Sequence, residues 1–145
     1  LDRHADVHAR DKNGMEPLHA AAGNGHIDVV GLLVEAGADV NSRCADGDGT
    51  PLLVAVLFGY LELVRFLLNR HADVHARNNN GRDPLHLAAW NGHREIAHLL
   101  VEAGADIHCR STDGGWTPLH AAAEFGHLDL VRFLVERHAD VHARS

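Results

Sequence analysis

The sequence predicts an all-α solenoid of stacked helix-turn-helix units with short projecting β-hairpins, and three observations carry that expectation. The string His-Ala-Asp-Val-His-Ala-Arg occurs at residues 4–10, 71–77 and 138–144, at equal intervals along the chain. A second ladder runs in step with it at half that interval: Pro17-Leu18-His19, Pro51-Leu52-Leu53, Pro84-Leu85-His86 and Pro118-Leu119-His120. Behind each rung an apolar stripe recurs at helical spacing, as in Val29, Val30, Leu32 and Leu33. So regular a ladder marks a repeat array, in which each unit buries its apolar face only by stacking on a neighbour.

Residues 1–145 read as one array: residues 1–10 end a preceding repeat, and four repeats follow at 11–43, 44–77, 78–110 and 111–144. In the first repeat Asp11-Lys12-Asn13-Gly14 supplies turn chemistry, and Pro17 suits the first position of a helix because its missing N–H is not needed there. Ala20, Ala21 and Ala22 favour helix and leave room for close packing, and Gly25 ends the segment. A second helix is expected from Ile27 to Ala36, stopped by Gly37 in a left-handed conformation. Ala38 to Arg43 then leads into the next turn.

The Pro-Leu-His-x-Ala core, the Gly-His pair and the Gly-Ala-Asp ending resemble the ankyrin repeat family over almost the whole chain. Against that pattern the second repeat departs by carrying Leu53, Val54 and Val56, whose bulk either widens the stack or needs a smaller facing residue. Its Tyr60 replaces the histidine found at His26, His93 and His127. One extra residue precedes the second and fourth repeats, at Cys44 and Ser111, and its recurrence in step with the His-Ala-Asp-Val-His-Ala-Arg string implies duplication of a two-repeat unit. Phe66 and Phe133 align with the second-helix stripe and are expected in the core. The apolar last repeat and the abrupt ends lead us to expect a monomeric fragment of a longer array.

A net charge of −7, with Lys and Arg scattered singly, argues against nucleic-acid binding. Fourteen histidines imply acid sensitivity, since charging them all would carry the net charge to +7. Neither a membrane span nor a signal peptide is expected. Cys44 and Cys109 fall in loops two repeats apart, beyond the ~7 Å that a disulfide allows, and free thiols fit an intracellular setting, cytoplasmic or nuclear.

The family resemblance implies that a protein partner docks on the concave face made by the hairpin tips and first helices. The tips offer Lys12, Asn13, Met15, Asp46, Gly47, Asn79, Asn80, Arg82, Asp113, Gly114 and Trp116, and the helix ends offer Gly23, Asn24, Leu57, Phe58, Trp90, Asn91, Glu124 and Phe125. Four of the seven Phe, Trp and Tyr residues fall in this set, and aromatics dominate interface hot spots. The residues expected to bind are therefore Met15, Leu57, Phe58, Arg82, Trp90, Asn91, Trp116, Glu124 and Phe125. The alternatives are a structural spacer within a longer array, whose groove meets no ligand, and, less favoured, weak metal binding by the His-Ala-Asp-Val-His pairs.

His19, His86 and His120 match the family position that bonds backbone of the same and the adjacent repeat, and His26, His93 and His127 are likewise structural by resemblance. The pairs His4/His8, His71/His75 and His138/His142 flank an aspartate as in metal sites, but each would need ligands from elsewhere, so no metal or cofactor is assigned. Because the family has a left-handed glycine at His4, His71 and His138, these histidines are expected to be strained. Asn41, with Leu33, Asp39 and Val40, resembles the pattern that an asparaginyl hydroxylase modifies in ankyrin repeats; holding the hairpin is the simpler role. No catalytic residues are expected, because the histidines recur by position rather than converge and no Gly-x-Ser-x-Gly, phosphate loop or Cys-x-x-Cys occurs.

Overall fold

Each ladder proline starts a helix. The computed structural model describes residues 6–44 and 49–137, and among these there are eight helices and no strand. They are α1 Pro17–Gly23, α2 Ile27–Glu35, α3 Pro51–Phe58, α4 Leu61–Asn69, α5 Pro84–Asn91, α6 Arg94–Glu102, α7 Pro118–Glu124 and α8 Leu128–Glu136. Asp46, Gly47, His4, His138 and His142 lie outside the described residues. No helix among those described is long and apolar enough to cross a membrane.

Before Pro51, Pro84 and Pro118, the preceding residue caps the helix that the proline opens. Thr50 Oγ1, Asp83 Oδ1 and Thr117 Oγ1 accept the N–H of Leu53, His86 and His120 at 3.3, 2.9 and 3.2 Å, satisfying donors that the first turn leaves orphaned. The helices are only 7 to 9 residues long. Isolated helices shorter than about 12 residues are marginal in water, so stacking must supply their stability.

Two compact units result, residues 1–73 and 74–145. In the first, α1 pairs with α2 and α3 with α4, while α1 stacks on α3 and α2 on α4. Leu18, Ala22, Val30, Ala55, Val56, Val64 and Leu67 are fully buried there. In the second, α5 stacks on α7 and α6 on α8, around Leu85, Ala88, Ala89, Ala97, Leu100, Ala122 and Leu134. Ala21 and Ala22 face the stack as expected, whereas Ala20 points outward.

In the bulky second repeat Val54 stands beside Gly23, where a Cβ on the glycine would be 3.6 Å from Val54 Cγ1, an ordinary contact. The expected four-residue stripe of α2 is only half buried: Val30 and Leu33 are inside, but Val29 and Leu32 are 45% and 56% exposed. The matching Leu63 of α4 and Leu130 of α8 are buried, because each has the second helix of the preceding repeat against it. Phe133 is in the core, while Phe66 is half-buried under the Arg70 guanidinium. Cys44 and Cys109 are both free thiols.

The tips are tight turns rather than strands. Backbone N–H groups of Asp11, Asn78 and Ser111 donate to the carbonyls of Met15, Arg82 and Trp116 at 3.0, 2.9 and 2.8 Å. So short a ladder leaves no regular strand among the described residues.

His71 has φ +68, while Gly37 and Gly104 at the equivalent position have +104 and +101. A side chain in this region is strained by its Cβ. His71→Gly is therefore expected to stabilise the chain by up to about 1 kcal/mol, read as a higher melting temperature; an unchanged or lower one would contradict the assignment.

Candidate functional site

In the second unit, loop chemistry brings four of the expected binding residues together. Asn78 Oδ1 accepts the N–H of Asn80 and of Arg82 at 2.9 and 3.1 Å, which sets the tip from which Arg82 projects. The Trp116 backbone is pinned from both sides: its N–H donates to Ser111 Oγ at 3.1 Å, and its carbonyl accepts His86 Nε2 from the previous repeat at 2.9 Å. His127 Nε2 likewise donates to the Trp90 carbonyl at 3.1 Å. His19 Nε2 donates to the Ser42 carbonyl at 2.8 Å in the same way, at the far end of its own repeat, whereas His86 and His127 tie the third and fourth repeats together, and these two place the tryptophans.

The side chains form a continuous strip. Trp90 and Phe125 have ring centroids 4.7 Å apart, and Trp90 and Trp116 are 6.0 Å apart, both pairs tilted by about fifty degrees. The Trp116 ring also lies on Gly114, where a Cβ would be 2.8 Å from it. Arg82 stacks on Trp90 with Cζ 4.0 Å from the ring centroid, and its Nη2 donates to Asp113 Oδ2 at 2.7 Å. The Ser111 hydroxyl, and then the Arg82 guanidinium, hold the Asp113 carboxyl below its ordinary range. Phe125 is 46% exposed and both tryptophans are partly exposed, so the strip presents apolar surface to solvent.

The remaining expected residues are placed differently. Glu124 and Asn91 are exposed, and Asn91 Nδ2 donates back to the Leu87 carbonyl at 3.0 Å. Met15, Leu57 and Phe58 belong to the first unit, where all three are exposed and the Phe58 ring centroid stands 6.0 Å from that of Tyr60. Asp113 was legible only as a tip residue; its pairing with Arg82 joins tips of adjacent repeats. Asn41 is exposed and ties repeat to repeat, its Oδ1 accepting the Asp73 N–H at 2.8 Å and its Nδ2 donating to the His71 carbonyl at 3.3 Å.

A second cluster gathers Asp83, His86 and Cys109, whose ligand-type atoms lie within 4.8 Å of one another. It serves the fold. His86 Nε2 is spent on Trp116, and its Nδ1 accepts the Asp83 N–H at 3.2 Å. The Arg77 guanidinium bonds the Cys109 sulfur, and burial, followed by the Asp83 charge, pushes the thiol up to about 11. A protonated thiol beside a guanidinium is a poor cation ligand and a poor nucleophile. Ser42 stands at the equivalent place two repeats earlier, its hydroxyl donating to Glu16 at 2.9 Å, so Cys109→Ser is expected to fold.

The raised thiol also has a pH signature. Between the ordinary value of 9.0 and about 11 the folded state holds a proton that the unfolded state has lost, so this contribution is present below pH 9 and fades as pH rises toward 11. Urea unfolding of wild type and Cys109→Ser should show their stability difference shifting against wild type between mildly and strongly alkaline buffer. A difference constant with pH would refute the shift.

Comparison with known proteins agrees with this architecture. The family described as ankyrin repeats matches in three copies, over residues 1–78, 42–111 and 72–145. The chain is 43% identical over 86 residues to the Drosophila melanogaster ankyrin repeat and KH domain-containing protein mask, covering 59% of this chain and 2% of that protein. It is 49% identical over 76 residues to the Arabidopsis thaliana E3 ubiquitin-protein ligase XBAT33, covering 52% of this chain and 15% of the ligase. The human ankyrin repeat and KH domain-containing protein 1 is 43% identical over 85 residues, covering 58% of this chain and 3% of that protein. The segment therefore spans a small part of these relatives.

Proposed function

The chain belongs to the ankyrin repeat family, and from that premise we propose that it recognises a polypeptide partner on its concave face, without catalysis, through Trp90, Trp116 and Phe125 in the second unit. Ankyrin repeats are in general protein–protein interaction modules. The observation that carries the reading is an exposed Phe125 packed on a Trp90 that is itself clamped by Arg82. A partner would cover rings already held in place, so little side-chain entropy is lost on binding. Within the first unit Met15, Leu57 and Phe58 take the same role.

The reading assigns no reaction. The ligase activity in the name of the Arabidopsis relative is not carried over, because the match covers 15% of that protein. The matched stretch covers only 2–3% of two of the relatives, in keeping with a chain that is part of a longer protein. Hydroxylation of Asn41 is a separate proposal, tested by mass spectrometry of protein from source cells: absence of a species heavier by one oxygen would remove it.

The test is affinity purification from source-cell lysate, comparing wild type with Trp116→Ala/Phe125→Ala after confirming that both melt alike. A protein retained by wild type and lost by the double variant supports recognition. Identical retention by both forms, or none by either, favours a structural spacer.

A further inference from the structure

We propose that Arg82 is the polar anchor of this groove, and that its occupant is an extended peptide carrying an Asp or Glu side chain next to a large apolar one. The inference rests on the recognition reading above and adds the chemistry of the partner.

A strip of aromatic rings is one way to hold a cation, but the geometry here argues otherwise. The rings pack on one another at 4.7 and 6.0 Å rather than standing apart as walls, and the chain's own Arg82 already covers one face of Trp90 at 4.0 Å. The groove therefore presents the edge of a guanidinium beside apolar rings.

That edge has capacity to spare. A guanidinium has five N–H donors in one plane, and stacking a face on tryptophan leaves them all directed outward. Asp113 takes Nη2 alone; among the described residues Nε and Nη1 make no hydrogen bond, and the side chain is 20% exposed. The Trp90 stack and the Asp113 bond hold the guanidinium, so the remaining donors have a defined direction. An incoming carboxylate fits them, while the apolar neighbour in the peptide fits the open surfaces of Phe125 and Trp116. Asp113 then acts as an internal competitor for the same guanidinium, and this makes the proposal sensitive in sign.

The probe is a library of random peptides with blocked termini, selected on the whole chain. Enriched sequences are expected to pair Asp or Glu with an adjacent aromatic or aliphatic residue. Exchanging the acid for its amide in the best peptide should weaken binding roughly tenfold or more, and the cost should vanish in Arg82→Gln. Asp113→Asn, which removes the competitor, should tighten the acidic peptide several-fold. Enrichment of basic or uncharged peptides that still depend on Trp116 and Phe125 would overturn the acid assignment and leave the recognition reading intact. Weaker binding by Asp113→Asn, or an acid-to-amide cost that persists in Arg82→Gln, would overturn the anchor. If no enriched peptide depends on Trp116 and Phe125, both readings fail. Should Arg82→Gln melt early, Arg82→Lys keeps the charge without the planar fork, and is expected to retain the acid preference at lower affinity; loss of that preference counts against the proposal.

Discussion

Gly81→Ala is expected to destabilise the second unit by about 3 kcal/mol, the sum of a backbone cost and a packing cost. Gly81 sits at φ +71, where an L side chain is strained. A Cβ there would also stand 2.6 Å from the backbone nitrogen of Thr112 and from its side chain. Thr112 cannot readily yield, since its N–H donates to the Asn80 carbonyl at 3.1 Å and so joins two neighbouring tips. Gly126→Ala is the matched control in the same unit: its φ is +70, but a Cβ meets nothing within 4 Å. It should cost only the backbone part, about 1 kcal/mol. Urea or thermal unfolding of both variants checks this, and equal losses would show that the contact with Thr112 adds nothing.

Trp116→Ala/Phe125→Ala is expected to weaken partner binding by about 3–4 kcal/mol, a loss of several hundredfold in affinity. Interface hot spots are dominated by aromatic anchors because each removes a large apolar area from water while few rotors freeze. Phe125 is 46% exposed and Trp116 partly exposed, so their removal should lower the melting temperature far less than truncation of a buried residue such as Leu85. Calorimetric titration with the recovered partner separates the effects: a small affinity change with unaltered melting would place the interface elsewhere.

Much of the fold was legible from punctuation. Pro17, Pro51, Pro84 and Pro118 open α1, α3, α5 and α7, each at its first position. The backbone bonds of His19 and His86 could be assigned because a recurring motif makes them. Burial was less legible: Val29 and Leu63 occupy matching positions, yet one is 45% exposed and the other 2%, since burial depends on what lies against a helix.

The sequence by itself determined the all-α repeat architecture, the sites of the turns, the left-handed demand at position 71 and the shortlist from which a partner surface could be built. These are local or periodic properties, written in residues that act on their own backbone or on an identical neighbour. Only the tertiary structure decided which of those residues meet: that Arg82 lies on Trp90 and bonds Asp113, that Phe125 completes the strip, and that Asp83, His86 and Cys109 form a capping network. Some of these contacts lie within the third repeat and others join it to the fourth, and their geometry depends on rotamers chosen by packing, which no spacing along the chain encodes.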